Sequence, residues 1–245
     1  MRPALLLAAA LAAAPAFAQE ALTPEQGVAV DERVRAYLLE HPEVILEALE
    51  VLEQRRQAAE AKADEALVAE LRAPLFEDGY SHVSGNPDGD VTIVEFADYR
   101  CGYCKAAHPI VSELVQSDGN IRLIYKEFPI LGQESMLASR VAMAALAIDE
   151  DGYERLHESL LTLKGGLDEA TLFRLAEAAG FEEAALRKGM EAPEIAERIR
   201  ENYTLAQALK IEGTPAFVIG DRVVRGFVQL DQMREYVTAA RTPQD

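Results

Sequence analysis

The chain has 245 residues, 49% of them hydrophobic, and a formal net charge of −18 at pH 7 with four histidines counted neutral. This length holds one large domain or one domain with an appendage, and the apolar share supports a packed core. The acidic balance argues against a nucleic-acid partner, which needs a basic face, and against an anionic membrane surface.

Residues 1–18 have the pattern of an export signal. Met1-Arg2 gives a positive start, Leu5 to Ala14 an apolar run, and Ala16-Phe17-Ala18 a small-residue cleavage site. The competing reading is a buried N-terminal helix. With cleavage, the mature chain begins at Gln19 and works in an oxidising or thiol-managed compartment. No later apolar run is long enough to span a bilayer.

Residues 19–75 read as a separate helical region. Thr23-Pro24-Glu25 is a helix start, and His41-Pro42 is expected to end that first helix. A second helix is expected from Pro42 to about Arg72. Its stretch from Glu53 to Glu65 is nearly all alanine and charge, which favours helix but offers little apolar face. Ile45, Leu49 and Leu52 have the spacing of a helix–helix seam. That seam serves either self-association or packing on the chain's own second domain. Residues 76–90, dense in Gly, Asn, Pro and Asp, read as a loop.

Residues 91–109, VTIVEFADYRCGYCKAAHP, read as a buried strand, a turn and a helix opening on Cys101-Gly102-Tyr103-Cys104. These are the two cysteines of the chain. Unpaired backbone N–H groups and the dipole at a helix start favour thiolate over thiol. Cys101 is then the attacking thiol and Cys104, one turn further in, the resolving one. The one bridge they can form closes a tiny loop and removes little chain entropy, so redox use is favoured over stapling. Zinc would need two more ligands, and His41, His82, His108 and His157 show no paired spacing. Copper(I) binding by the two thiolates is chemically compatible with redox use.

A second strand is expected at Ile121 to Phe128, then helices over about 134–209. Gly213-Thr214-Pro215 leads into strands at 216–219 and 223–225, and a last helix carries Leu230 to Val237. This order implies a mixed sheet with helices on both faces and a helical block between its halves. Thr214-Pro215 reads on its own as an ordinary trans turn. Glu95 has two readings. It is a buried carboxylate that exchanges a proton with the resolving thiol, or a strand-edge group facing water or Lys126. Tyr103 is either a substrate contact or a spacer, and His108 is expected to face solvent.

The strand–CGYC–helix unit, the interposed helices and GTPAF together resemble the DsbA-like thiol–disulfide oxidoreductases, over roughly residues 76–241. The resemblance implies an α/β thioredoxin fold at 76–245 with a helical insertion at about 134–209. It implies Cys101 as nucleophile, Cys104 as resolving thiol, a cis Pro215 after Thr214, and an acidic partner at Glu95. Gly102-Tyr103 and Thr214 are similar to the DsbC isomerases and the copper-tolerance ScsC-like branch, as is YLLEHPEVILEALEVLEQRR. The expectation is a periplasmic, isomerase-type enzyme with Gly102 and Tyr103 at the substrate. A DsbA-type oxidase and a copper(I)-binding protein are the alternatives. No cofactor beyond the Cys101–Cys104 disulfide is implied. The implied partners are unfolded or misoxidised exported proteins, a membrane redox partner and further copies of the chain through the N-terminal helices.

Overall fold

The computed structural model describes residues 23–242, so the expected export signal lies outside the described residues. By internal contacts the chain divides into residues 1–56 and 57–245.

In the first unit, α1 spans Pro24–Glu40. Thr23 takes the backbone N–H of Gln26, and the Gln26 side chain takes that of Thr23, a reciprocal cap that satisfies two orphan donors. Pro24 follows at a position where its missing N–H is no loss. The helix ends before His41, because Pro42 disfavours the helical region for its predecessor. α2 begins at Glu43 and runs to Glu70. No residue of α1 is buried. Ile45, Leu49 and Leu52 on α2 are all about half exposed or more.

The second unit is built on a five-stranded sheet in the order β1-β3-β2-β4-β5. β2 is Val91–Ala97, β3 Ile121–Glu127, β4 Ala216–Ile219 and β5 Arg222–Arg225. β2 and β3 run parallel, joined by α4, Gly102–Asp118. β4 is antiparallel to β2, and β5 to β4. Gly119 ends α4 at φ 73°, a conformation that only a residue without Cβ adopts cheaply. β1, Val83–Gly85, pairs antiparallel with β3 inside the stretch expected to be a loop. Val-Ser-Gly carries no apolar alternation. Its pairing is set by the free edge of β3.

Alternation along β2 decides what each face of the sheet meets. Val91 and Ile93 pack with Ala107, Val111 and Leu114 of α4 and with Met233 of α10, Leu230–Arg241. Val94 and Phe96 face the other way, onto Val68 of α2, Leu75 of α3 (Arg72–Phe76) and Leu205 of α9. Burying each such side chain stabilises the fold by about 1.5–3 kcal/mol. Between β3 and β4 come α5 (Gln133–Ile148), α6 (Glu150–Thr162), α7 (Glu169–Ala178), α8 (Glu183–Met190) and α9 (Pro193–Ala208). The first four enclose a core of their own that reaches Tyr99, Cys101 and Cys104.

Candidate active site

The turn between β2 and α4 is held by Asp98, a residue the sequence reading passed over. Its fully buried carboxylate accepts the backbone N–H groups of Arg100, Ile130 and Leu131 at 2.8–3.0 Å and the Ser135 hydroxyl at 2.8 Å. The backbone N–H of Cys101 bonds the Asp98 carbonyl. One side chain thus fixes the approach to Cys101 and ties it to the loop after β3. The available signal was an Asp two residues before Arg100, the spacing of an Asx turn.

Cys101 is the N-cap of α4, as its position before the helix predicts. Its Sγ lies 3.2 Å from the Thr214 carbonyl oxygen, across 113 positions of sequence, a contact that only the protonated thiol makes as a hydrogen bond. Thr214-Pro215 is a cis peptide, which agrees with the resemblance and not with the isolated reading of that dipeptide. Both thiols are free and buried, Cys104 completely. The hydrogen bond from Cys104, with the Thr214 side chain and the backbone N–H groups of Cys104 and Tyr103, lowers the Cys101 pKa to about 5 against the opposing effect of burial. Donating that bond raises Cys104 far above a free thiol, and burial adds to it. Cys101 is therefore a thiolate at neutral pH, and Cys104 holds its proton.

Glu95 lies on the α4 face of β2, between Ile93 and Ala97. It is 0% exposed, and neither carboxylate oxygen has a hydrogen-bond partner. Burial alone raises its pKa to about 8. A charge there also raises Cys104, which puts the two groups within electrostatic reach. The strand-edge reading of Glu95 is thus corrected. Lys126 cannot pair with it because Lys126 stands opposite Phe96, on the other face, and bonds Asp78 and the Pro74 carbonyl instead.

Tyr103, two residues after Cys101, is 67% exposed and its ring lies 6.2 Å from that of Phe227. Gly102 is exposed beside it, with open space where a Cβ would stand. His108 does not face solvent. It is buried one turn beyond Cys104, and its Nε2 lies 2.5 Å from Glu158 of α6. The packing of α6 on α4 covers it, which helix periodicity alone cannot foresee.

The comparisons fit this geometry. Residues 92–238 match the DSBA-like thioredoxin domain, and residues 26–59 match the copper resistance protein ScsC N-terminal domain. A thioredoxin-like oxidoreductase from Silicibacter pomeroyi DSS-3 is 43% identical, with TM-score 0.68, over 71% of this chain and 99% of that one. Salmonella enterica Typhimurium BcfH is 30% identical, with TM-score 0.71, over 89% of this chain and 97% of that one. Among curated relatives, Na(+)/H(+) antiporter NhaA 1 of Salinispora arenicola is 29% identical over 186 residues. That match spans 76% of this chain but 28% of the antiporter. With an acidic thiol at the start of α4, a second, buried thiol one turn in and a buried carboxyl on the neighbouring strand, the chain belongs to the DSBA-like thioredoxin-domain family and carries a ScsC-type N-terminal region.

Proposed function

We propose that the protein exchanges disulfides with other exported proteins in the periplasm, as an isomerase or reductase. What supports this is the geometry of the two free thiols, Cys101 at the N-cap of α4 against the Thr214 carbonyl and Cys104 buried one turn in, with Cys101 the more acidic. Cys101 thiolate attacks a substrate disulfide, forms a mixed disulfide and expels the substrate's other sulfur as thiolate. Release follows when the substrate's own thiol or Cys104 attacks that bond. In the second case Cys104 first gives its proton to the ionised form of Glu95, the minor form near neutral pH, then forms the Cys101–Cys104 disulfide, and the electron pair leaves with the substrate sulfur. A membrane redox partner would return the pair to the dithiol. Tyr103 and Phe227 offer apolar contact to an extended substrate beside Cys101.

Recovery of activity from a scrambled, multiply disulfide-bonded protein in glutathione buffer tests the reading. Native protein should restore activity and Cys101→Ser should restore none. Rapid oxidation of a reduced substrate without such recovery would make it a DsbA-type oxidase.

Isomerisation gains from several active sites around one substrate. Val34, Tyr37, Ile45, Leu49 and Leu52 leave apolar surface uncovered in residues 23–56. The protein should therefore self-associate through this region, and Leu49→Glu with Leu52→Glu should lower its light-scattering mass. A monomeric native protein would refute this and weaken the isomerase reading.

The ScsC-type match favours a second reading, copper(I) held by the Cys101 and Cys104 thiolates. It predicts 1:1 copper(I) binding lost in either cysteine variant.

A further inference from the structure

The second half of α2 carries one buried charge in a stretch of alanine and exposed charge. Asp64 is 5% exposed and, with Val68, is what that helix buries. Its partner is Arg225 of β5, 161 positions away. The guanidinium donates from Nη1 and Nη2 to the two carboxylate oxygens, each at 2.8 Å. The same group donates from Nη2 to the Leu209 carbonyl at 2.7 Å and from Nε to the Lys210 carbonyl at 3.1 Å. These carbonyls lie at the end of α9, where a helix leaves acceptors without partners and its dipole favours a cation.

Arg225 thereby grips the stretch that leads to Thr214-Pro215. Among the described residues, Lys210 is the non-glycine residue with a positive φ, 54°. Its N–H bonds the Gln207 carbonyl, and the N–H of Ile211 bonds that of Ala206, the bonding of a helix end that usually takes glycine. A side chain disfavours that conformation, and the two carbonyls that Arg225 holds stand on either side of it. The other end of the stretch is held by the same strand. Ala216 is the register partner of Arg225, and the N–H of Gly226 bonds the Pro215 carbonyl at 3.0 Å. Residues 209–216 are thus fixed at both ends by Arg225 and its neighbour. Between those ends lies Thr214, whose carbonyl oxygen is 3.2 Å from Cys101 Sγ.

We propose that Asp64, acting through Arg225, fixes the loop that sets Thr214 against Cys101, which makes residues 57–70 of α2 part of the active-site scaffold. This rests on the reading of Cys101 as the exchanging thiol. Packing alone does not require the aspartate. Val68 already shares an apolar core with Leu205, Leu209, Ile211 and Ala216, and a buried ion pair adds little stability over apolar contact. What the pair adds is direction. The planar fork of arginine takes both carboxylate oxygens at once, and this aims the remaining N–H groups at the two carbonyls.

The consequence falls on one part of the Cys101 environment. The Thr214 side chain helps to lower the Cys101 pKa, beside the Cys104 hydrogen bond and the N–H groups of α4. The last two belong to α4 itself and do not depend on the loop. The Arg225 side chain is 30% exposed, so a guanidinium released by Asp64 can turn to water. Thr214 is then free to draw back, and the thiolate loses its support from that side. Neither Asp64 nor Arg225 touches a sulfur, so both are positioning residues.

The test uses the full chain as native protein, Asp64→Asn, Arg225→Lys, both together, and Arg241→Ala. Arg241 bridges Asp90 and Asp118 at 2.7–2.8 Å, before the start of β2 and at the end of α4, and serves as the control. Two readouts are taken where each protein is folded: the iodoacetamide-labelling midpoint of Cys101, and the glutathione equilibrium of the Cys101–Cys104 pair. Asp64→Asn and Arg225→Lys should each raise the midpoint by about one pH unit, the scale of one lost hydrogen bond to a charged group. The less stable thiolate should shift the equilibrium about tenfold toward the disulfide. The double variant should go little further, and Arg241→Ala should move neither readout. A midpoint that stays or falls in both variants, with glutathione exchange intact, would overturn the proposal and leave Cys101 in its role. Equal shifts in Arg241→Ala would also overturn it, since general loosening would then be the cause. A native protein without Cys101-dependent exchange would remove the underlying reading and the proposal with it. Should Arg225→Lys not fold, Asp64→Asn decides alone, because asparagine keeps the shape and one acceptor oxygen.

Discussion

Glu95 and Lys126 are one register position apart on neighbouring strands, both out of water, and they are handled in opposite ways. Lys126 points to the α3 face and is fully paired, with Asp78 and the Pro74 carbonyl as acceptors. Asp78 is in turn fixed by Ser81 and the backbone of Tyr80. Glu95 points to the α4 face and is given no hydrogen bond. Burying a charge is tolerable when geometry and hydrogen bonds offset desolvation. A group buried without them neutralises instead. The paired face is built to hold. The unpaired face holds a carboxyl that burial keeps largely protonated near neutral pH.

Removing a partner should separate the two faces most sharply. Lys126→Ala leaves Asp78 charged and unpaired and should destabilise the protein by about 3–5 kcal/mol in urea unfolding at neutral pH. A loss below about 1 kcal/mol would mean that this pair is solvated like a surface bridge.

Glu95→Gln should act the other way, and with pH. The folded-state pKa of Glu95 stands at about 8, above its ordinary 4.5. The folded protein binds a proton that the unfolded chain gives up across that range. Stability from this group is complete below about 4.5 and is lost as pH rises through about 8. The glutamine variant lacks this loss. It should gain on the native protein by a few kcal/mol in alkaline buffer, at about 1.4 kcal/mol per unit of displacement. Parallel stability curves for the two proteins would show that Glu95 is solvated in the folded state.

The smallest effect concerns the thiolate. Iodoacetamide labelling of Cys101 should titrate with a midpoint near 5, and Cys104→Ala should raise that midpoint because the leading hydrogen bond is gone. Backbone N–H groups of α4 keep it below a free thiol's. An unmoved midpoint would assign the stabilisation to the Thr214 side chain and the helix start.

What the sequence determined by itself was local. The alternation of Val91, Ile93, Val94 and Phe96, the cysteines three apart at a helix start, and Gly119 after an apolar run are each decided by neighbours a few residues away. So were the parallel β2–β3 pair and the returning hairpin, because a helix between strands permits little else. Thr214-Pro215 was legible as a site only through its likeness to a family. Its approach to Cys101 spans 113 positions, and no local rule encodes that distance. Tertiary structure alone decided the rest. It put Lys126 on the face away from Glu95, turned Val83–Gly85 into a strand by offering it the edge of β3, and made Asp98 the anchor of the active-site turn. It also drew His108 and His157, from separate helices, to within 5.9 Å of each other, ring to ring. Burial and partnership are properties of what packs against a residue, and for these residues the packing elements lie far along the chain.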